Sequence, residues 1–454
     1  MRYCLAMVIS VFCVFTLSAC SGSPAVPPGP LSDSDLDARA RAFVASMVEA
    51  KYQDAVKMMD DRMASAMPAN KVKEVWETLV AQAGPYQSVS GARLTTESGY
   101  KCVYVTCRFK DAAVDAKVVL DTAGKVCGVW FGPTPTSTVP YMPPTYVQAD
   151  AFYEIECTIG EERWKLPATL TMPKGDGAFP AVVLVQGSGP QDRDETIGPN
   201  KPFKDLAWGL ASKGIAVLRY EKRTKQYAAE IAAMLDSFTV NQETVEDALA
   251  AIAFLQQHKS VNPDKVFVLG HSLGASMGPR IAVLAREKGA PKLAGLLLMA
   301  PNARSIVDLV VEQTEYIASL DGKVDEKESI DLQKVRSEAA RIKGGKLQAG
   351  EIVLGGPKVY WEDLLRYDPV AAAKTLGLPV LILQGERDYQ VTMKDFAIWK
   401  DALQGKTNVT LQSLPGLNHL FMRGEGKSSP QEYDTQANVD PGVIDAIADW
   451  LKAR

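Results

Sequence analysis

Gly270-His271-Ser272-Leu273-Gly274 sets a serine between two glycines, directly after the apolar run VFVLG and before the apolar stretch LGASMGPRIAVLA. Glycines flanking a serine permit a tight strand-to-helix turn that projects the hydroxyl from a sheet edge. The helix that follows contributes unpaired amides and a positive dipole end, both suited to stabilising an oxyanion. A serine hydroxyl is a weak nucleophile until a base takes its proton. The chain has three histidines. His258 closes the helical run VEDALAAIAFLQQH, where a helix C-terminus suffices to explain it. His271 neighbours Ser272 in the chain and is expected to point away from its hydroxyl. His419, in LPGLNHLF, follows the last apolar strand and precedes the final helical run GVIDAIADWL, so elimination and position make it the candidate base. An acid that holds the imidazole tautomer should follow the preceding strand, and PVLILQGERDYQV offers Glu386 and Asp388 there.

Positioning these groups requires a sheet. ECTIGEERWKLPATLTMP predicts an antiparallel hairpin leading into AVVLVQG, after which strands and helices alternate. GIAVLRY, KVFVLG, LAGLLLMAP, PVLILQG and VTLQSLPG are short, nearly continuous apolar strands. Runs of that kind between helical stretches predict a mostly parallel sheet covered on both faces. Between Asn302 and Tyr367 the pattern breaks into a polar, largely helical insertion at the place where a lid over the site belongs. Ahead of this catalytic segment (150–454), residues 36–131 predict a small α+β domain. Phe43, Met47, Val48, Tyr52, Val56 and Met59 fall at helical spacing, a second helix starts at Pro68 and stops at Gly84, and YKCVYVTCRF, AKVVLDTA and KVCGVWF predict a meander. It carries no grouping of acid, base and nucleophile. Residues 132–149, with five prolines in GPTPTSTVPYMPPTY, predict an extended linker.

Fifty Lys and Arg against 54 Asp and Glu give a formal charge of −4 without a long basic block, which excludes nucleic acid as an expected partner. The N-terminus reads as an export signal. An apolar run from Leu5 to Leu17 is too short to span a membrane comfortably, and Leu17-Ser18-Ala19-Cys20 resembles a bacterial lipobox. Residues 1–19 are therefore expected to be removed, Cys20 to be lipidated, and the Pro/Gly/Ser-rich segment 20–35 to tether the protein to a membrane. With Ser21 after the cysteine, a Gram-negative source would place it at the outer membrane. Cys102, Cys107, Cys127 and Cys157 remain and could form two disulfides in an oxidising compartment. Cys102 and Cys107 lie on opposite faces of one strand, so they are not expected to pair with each other.

GSGPQDRDET, RYEKR, GHSLGA, QGERD and Asn418-His419 together resemble bacterial serine carboxylesterases of the α/β-hydrolase fold that carry the same small N-terminal domain, seen here in KYQDAVKMMDDRM, VKEVWETL and GPY. The likeness runs from about residue 38 to the C-terminus. It implies an α/β-hydrolase fold with a helical lid after a small α+β domain. Asp388 matches the family's G-x-x-D, and Ser272, Asp388, His419 is the family's order of nucleophile, acid and base. The same resemblance assigns the amides of Ser188 and Leu273 to the oxyanion hole, although Gln186-Gly187 stands where many relatives have His-Gly. It implies hydrolysis of small, short-chain acyl esters without cofactor or metal. The charges of QDRDE (191–195) are expected to rim that loop or to pair with Arg219, Lys222 or Arg223. A peptidase or acyltransferase on the same scaffold, or an envelope-binding lipoprotein without catalysis, are the competing expectations.

Overall fold

The computed structural model describes residues 31–97, 100–110, 112–134, 141–161, 163–287 and 293–454. The expected leader, Cys20 and the tether up to residue 30 lie outside them. The chain divides into two compact units, Met1–Thr136 and Ser137–Arg454.

The first unit opens with α1 (Asp33–Val48), three residues before the expected domain start. Ser32 and Asp35 form a capping box there, which satisfies orphan amides of the first turn. Ala50 at φ 58 breaks the helical pattern, so α2 (Tyr52–Lys57) is a separate element. A short α3 (Asp61–Ala66), capped by Asp60, was not legible in the sequence. Then α4 (Ala69–Ala83) starts after Pro68 and stops at Gly84 (φ 82), as the punctuation predicts. The meander has four strands: β1 (Tyr86–Glu97), β2 (Tyr100–Phe109), β3 (Ala113–Leu120) and β4 (Val126–Pro133), all antiparallel neighbours. The sequence pattern missed β1, whose YQSVSGARLTTE lacks apolar alternation because it is an edge strand.

The cysteines that could have bridged do not: Cys107, Cys127 and Cys157 are free thiols. Cys102 and Cys107 do face opposite sides of β2, Cys107 joining the core of this unit. Strands β2 and β4 flank β3, about 9–10 Å apart, beyond the reach of a bridge from either cysteine to Cys127. Cys157 belongs to the other unit. Burial pushes the Cys127 and Cys157 thiols up to about 11, which suppresses the thiolate.

The second unit is built on an eight-stranded sheet in the order β14-β13-β10-β9-β7-β8-β6-β5. The hairpin β5 (Phe152–Ile159) and β6 (Leu166–Pro173) is antiparallel, and β6 is antiparallel to β8 (Ala216–Tyr220). From β8 through β7 (Phe179–Val185), β9 (Val261–His271), β10 (Gly295–Met299), β13 (Val380–Gly385) and β14 (Val409–Leu414) all pairs are parallel. The two faces explain the unbroken apolar runs. Val183, Val268, Leu298 and Ile382 enter one core cluster, with Ala248 and Ile252 of α8 (Glu246–Gln257) and Ile281 of α9 (Leu273–Glu287). Their strand neighbours Val182, Phe267, Leu297 and Leu381 enter the other, with Phe203 of α5 (Pro202–Ala211) and Ile444 of α15 (Pro441–Lys452). Strand side chains alternate faces, so a strand covered on both sides cannot have a polar side. Each such fully buried side chain contributes roughly 1.5–3 kcal/mol.

The insertion between β10 and β13 comprises α10 (Ile306–Ala318), α11 (Glu326–Lys343), the small hairpin β11 (Ile352–Val353) and β12 (Gly356–Pro357), and α12 (Lys358–Arg366). Ser276 of α9 holds both of its ends: its hydroxyl bonds Asn302, and its carbonyl accepts the Tyr367 hydroxyl at 3.2 Å. The later part of the proline-rich linker is not free. Tyr141 donates to Asp205 at 2.7 Å and Tyr146 to the Val439 carbonyl at 2.9 Å, so residues 141–149 dock on the hydrolase unit.

Candidate active site

Strands β7, β9 and β13 end at one edge of the sheet, and the functional side chains collect there. Ser272 follows β9 directly and has φ 54, a conformation uncommon for a residue with a side chain. Two glycines make that turn possible. A methyl on Gly270 would lie 2.3 Å from the Gly274 carbonyl, and one on Gly274 would lie 2.2 Å from the Val185 carbonyl. The first turn of α9 is thus pressed against the end of β7. Gly187 of the adjoining loop has room for no more than contact, since a methyl there would meet Ser272 Cβ at 3.3 Å.

The backbone amides of this corner can be accounted for individually. Ser272 N donates to Met299 O at 2.9 Å, Gly187 N to Glu195 Oε1 at 2.7 Å, and Gly189 N to Glu243 Oε1 at 3.1 Å. Among the described residues, the amides of Ser188 and Leu273 donate to no protein group. The loop is held from beneath by Lys222, which is buried, bonds the Gly187 carbonyl and pairs with Glu243 at 2.7 Å. Gln186 turns its side chain inward to the Tyr220 carbonyl, so its departure from histidine leaves the loop's amides untouched.

The Asp388 side chain is fully buried. Its Oδ2 meets His419 Nδ1 at 2.7 Å and accepts from Gln384 Nε2 at 3.1 Å, while Oδ1 accepts from Gln390 N at 2.8 Å and Val391 N at 3.0 Å. Four donors around one carboxylate fix its plane and leave it no freedom to turn from the imidazole. The exposed Glu386 instead accepts from the Ser413 hydroxyl at 2.8 Å and, among the described residues, has no hydrogen bond to the imidazole. His419 is buried with Nε2 as the ring's second polar atom. Among the described residues no hydrogen bond joins the Ser272 hydroxyl to this ring; such bonds commonly tighten when substrate arrives. His258 only caps α8, its Nδ1 accepting from Ser260 N at 3.3 Å.

Two residues escaped the sequence reading. His271 does point away from the Ser272 hydroxyl, but it lies under His419: Nε2 is 2.9 Å from the His419 carbonyl and the two rings are 4.6 Å apart. Its Nδ1 lies 3.0 Å from Glu195 Oε2. Burial opposes charge on His271, yet Glu195, the His419 carbonyl and Asp388 together hold the imidazole above its ordinary value. Glu195 itself sits at φ 51. Of the remaining charges of the 191–195 run, Asp194 pairs with Arg219 as expected, while Arg193 pairs instead with Glu221 at 3.0 Å and Lys222 with Glu243. Arg223 pairs with Asp247 on α8.

A family model described as alpha/beta hydrolase fold matches residues 241–423, and one described as a protein of unknown function (DUF3887) matches residues 40–129. Esterase EstD of Thermotoga maritima is 38% identical over 415 residues, covering 91% of this chain and 95% of that protein. Among solved structures, an esterase of Pyrobaculum calidifontis is 16% identical, with a TM-score of 0.43 over 66% of this chain and 85% of its own. Est1E of Butyrivibrio proteoclasticus is 16% identical, with a TM-score of 0.42 over 66% of this chain and 99% of its own. The identity to EstD extends over nearly the whole of both chains, small N-terminal unit included, and this chain belongs to that family of α/β-hydrolase-fold esterases.

Proposed function

We propose that this protein hydrolyses carboxylic esters through an acyl-enzyme formed on Ser272. The Ser272 hydroxyl attacks the ester carbonyl while His419 Nε2 takes its proton. Asp388 holds the imidazole with Nδ1 protonated and stabilises the imidazolium. The tetrahedral oxyanion accepts from the amides of Ser188 and Leu273. Its collapse expels the alcohol, protonated by His419, and water repeats the sequence to release the acid. One observation carries this reading: at the corner where Ser272 leaves the sheet, the neighbouring amides of Gly187, Gly189 and Ser272 are engaged, and those of Ser188 and Leu273 are left to a substrate.

Short acyl esters are the proposed substrates, with the insertion over the sheet edge limiting chain length. The test is turnover of p-nitrophenyl esters from acetyl to palmitoyl by the form beginning after Cys20, beside Ser272→Ala. Hydrolysis should decline with chain length, and Ser272→Ala should lower kcat by roughly 10³–10⁶-fold. A Ser272→Ala enzyme with near-normal turnover would overturn the assignment. We also propose export and lipid anchoring through Cys20. Cys20→Ser should move the protein from the membrane fraction to the soluble one, and persistence in membranes would contradict the anchor.

A further inference from the structure

We propose that Glu195 and His271 form a buried positioning pair that ties the oxyanion loop to the base, so that the two halves of the site move as one body. The proposal rests on the acyl-transfer reading above. One carboxylate spans both halves. Its Oε1 accepts the Gly187 amide at 2.7 Å, one peptide before the Ser188 amide, and its Oε2 faces His271 Nδ1 at 3.0 Å. His271 Nε2 in turn meets the His419 carbonyl at 2.9 Å. A carbonyl oxygen only accepts, so Nε2 carries a hydrogen.

That assignment constrains the other nitrogen. With Nε2 protonated, a neutral His271 would turn a lone pair toward a buried carboxylate oxygen at 3.0 Å. Two acceptors repel at that distance, so one proton belongs to the contact, although the pair lacks the alignment of a full hydrogen bond. The groups facing His271 are Glu195 from the loop after β7, the His419 and Phe421 rings from the segment after β14, and Asp388 behind His419. Burial opposes the charge, and the nearby carboxylates favour it.

The backbone gives an independent sign. Glu195 is a buried, non-glycine residue at φ 51, a costly conformation kept where the surroundings over-determine it. The turn that imposes it is built by Asp192, whose side chain accepts the amides of Asp194 and Thr196. That turn aims Glu195 inward while its neighbours Arg193 and Asp194 are spent on ion pairs of the sheet's edge. Its two side-chain contacts reach the residues that hold the site, Gly187 next to the Ser188 amide and His271 beneath His419.

Acylation rates with p-nitrophenyl acetate for Glu195→Ala, His271→Ala, the double variant, Glu195→Gln and Glu195→Asp test the pair. Each alanine variant should acylate about 10²-fold more slowly with KM little changed, the size expected for a displacement of about 1 Å. The double variant should cost no more than the worse single. Glu195→Gln should recover most of the rate, because its amide can accept from Gly187 and donate to a neutral His271. Glu195→Asp keeps the charge but not the reach and should stay slow. Wild-type acylation by folded Glu195→Ala, additive effects in the double variant, or Glu195→Asp outperforming Glu195→Gln would overturn the proposal. If the alanine variants fail to fold, the order of Gln and Asp decides it. A Ser272-dependent enzyme indifferent to Glu195 defeats this pair alone, whereas activity surviving Ser272→Ala defeats the reading beneath it.

Discussion

Asp388 and His419 meet at 2.7 Å through Oδ2 and Nδ1, with the carboxylate's remaining lone pairs taken by two backbone amides and Gln384. An asparagine there can keep the shape and lose the function, because its amide nitrogen cannot accept the imidazole N–H. Asp388→Asn should lower kcat about 10⁴-fold with little change in thermal midpoint. Glu386→Gln, at the exposed neighbour, should leave the rate as it is. Comparing the two rates separates the candidates, and equal losses would return Glu386 to consideration.

Gly274→Ala examines the close approach behind Ser272. The added methyl would lie 2.2 Å from Val185 O and 2.6 Å from Gln186 O, both backbone atoms that cannot rotate away. The helix start must shift, carrying the Leu273 amide with it. Stability should fall by about 1–3 kcal/mol, as overpacking costs, and the folded fraction should acylate more slowly. Chemical denaturation and burst kinetics measure the two; an active, fully stable variant would contradict the packing.

Lys222→Met removes the cation under the loop that carries Gly187 and Ser188. Its ammonium is buried with Glu243, which also accepts the Gly189 amide. Removing one partner strands a buried carboxylate, at a cost of about 3–5 kcal/mol. A large drop in melting temperature is expected, partly reversed in Lys222→Met/Glu243→Gln. If Lys222→Met melts like the parent, the pair is not supporting the loop.

Asp205 gives stability a dependence on pH. It is fully buried, and burial raises its carboxyl to about 6 from 3.8 despite hydrogen bonds from Tyr141, Val439 and Asn438. Below about pH 4 both folded and unfolded chains hold the proton. Between about 4 and 6 the unfolded chain releases it first, so stability falls as pH rises through this window and the penalty is complete above it. An asparagine side chain does not titrate, so relative to wild type Asp205→Asn should gain melting temperature between about pH 4 and pH 7. Parallel melting curves across that range would exclude the effect.

Much of this molecule could be read from residue types. The parallel strands were legible because burial on both faces leaves no polar alternation, as Val182 and Val183 show by entering opposite cores. The candidate base followed from having three histidines and one suitable position. What could not be read depends on contacts between distant segments. Glu195 stands in a charged run that resembles a solvated rim, and only the fold reveals its approach to His271. Glu243 lies in a π turn (Asn241–Val245) with no local feature pointing to Gly189. Strand β1 was hidden for a different reason: an edge strand can be polar and take its register from its neighbour.

Both ends of the helical insertion converge on Ser276, one turn beyond Ser272. The segment therefore leaves and re-enters the hydrolase unit through a doorway one residue wide. Lengthening what lies between adds little closure entropy, about 0.6 kcal/mol per doubling of length. What lies between is not loosely hung, because Ala339, Ile342, Tyr360 and Trp361 join the same core as the sheet's own Val268 and Leu298. A change in the insertion's length is therefore cheap at its ends, whereas a change in its apolar residues is felt by the sheet's own core.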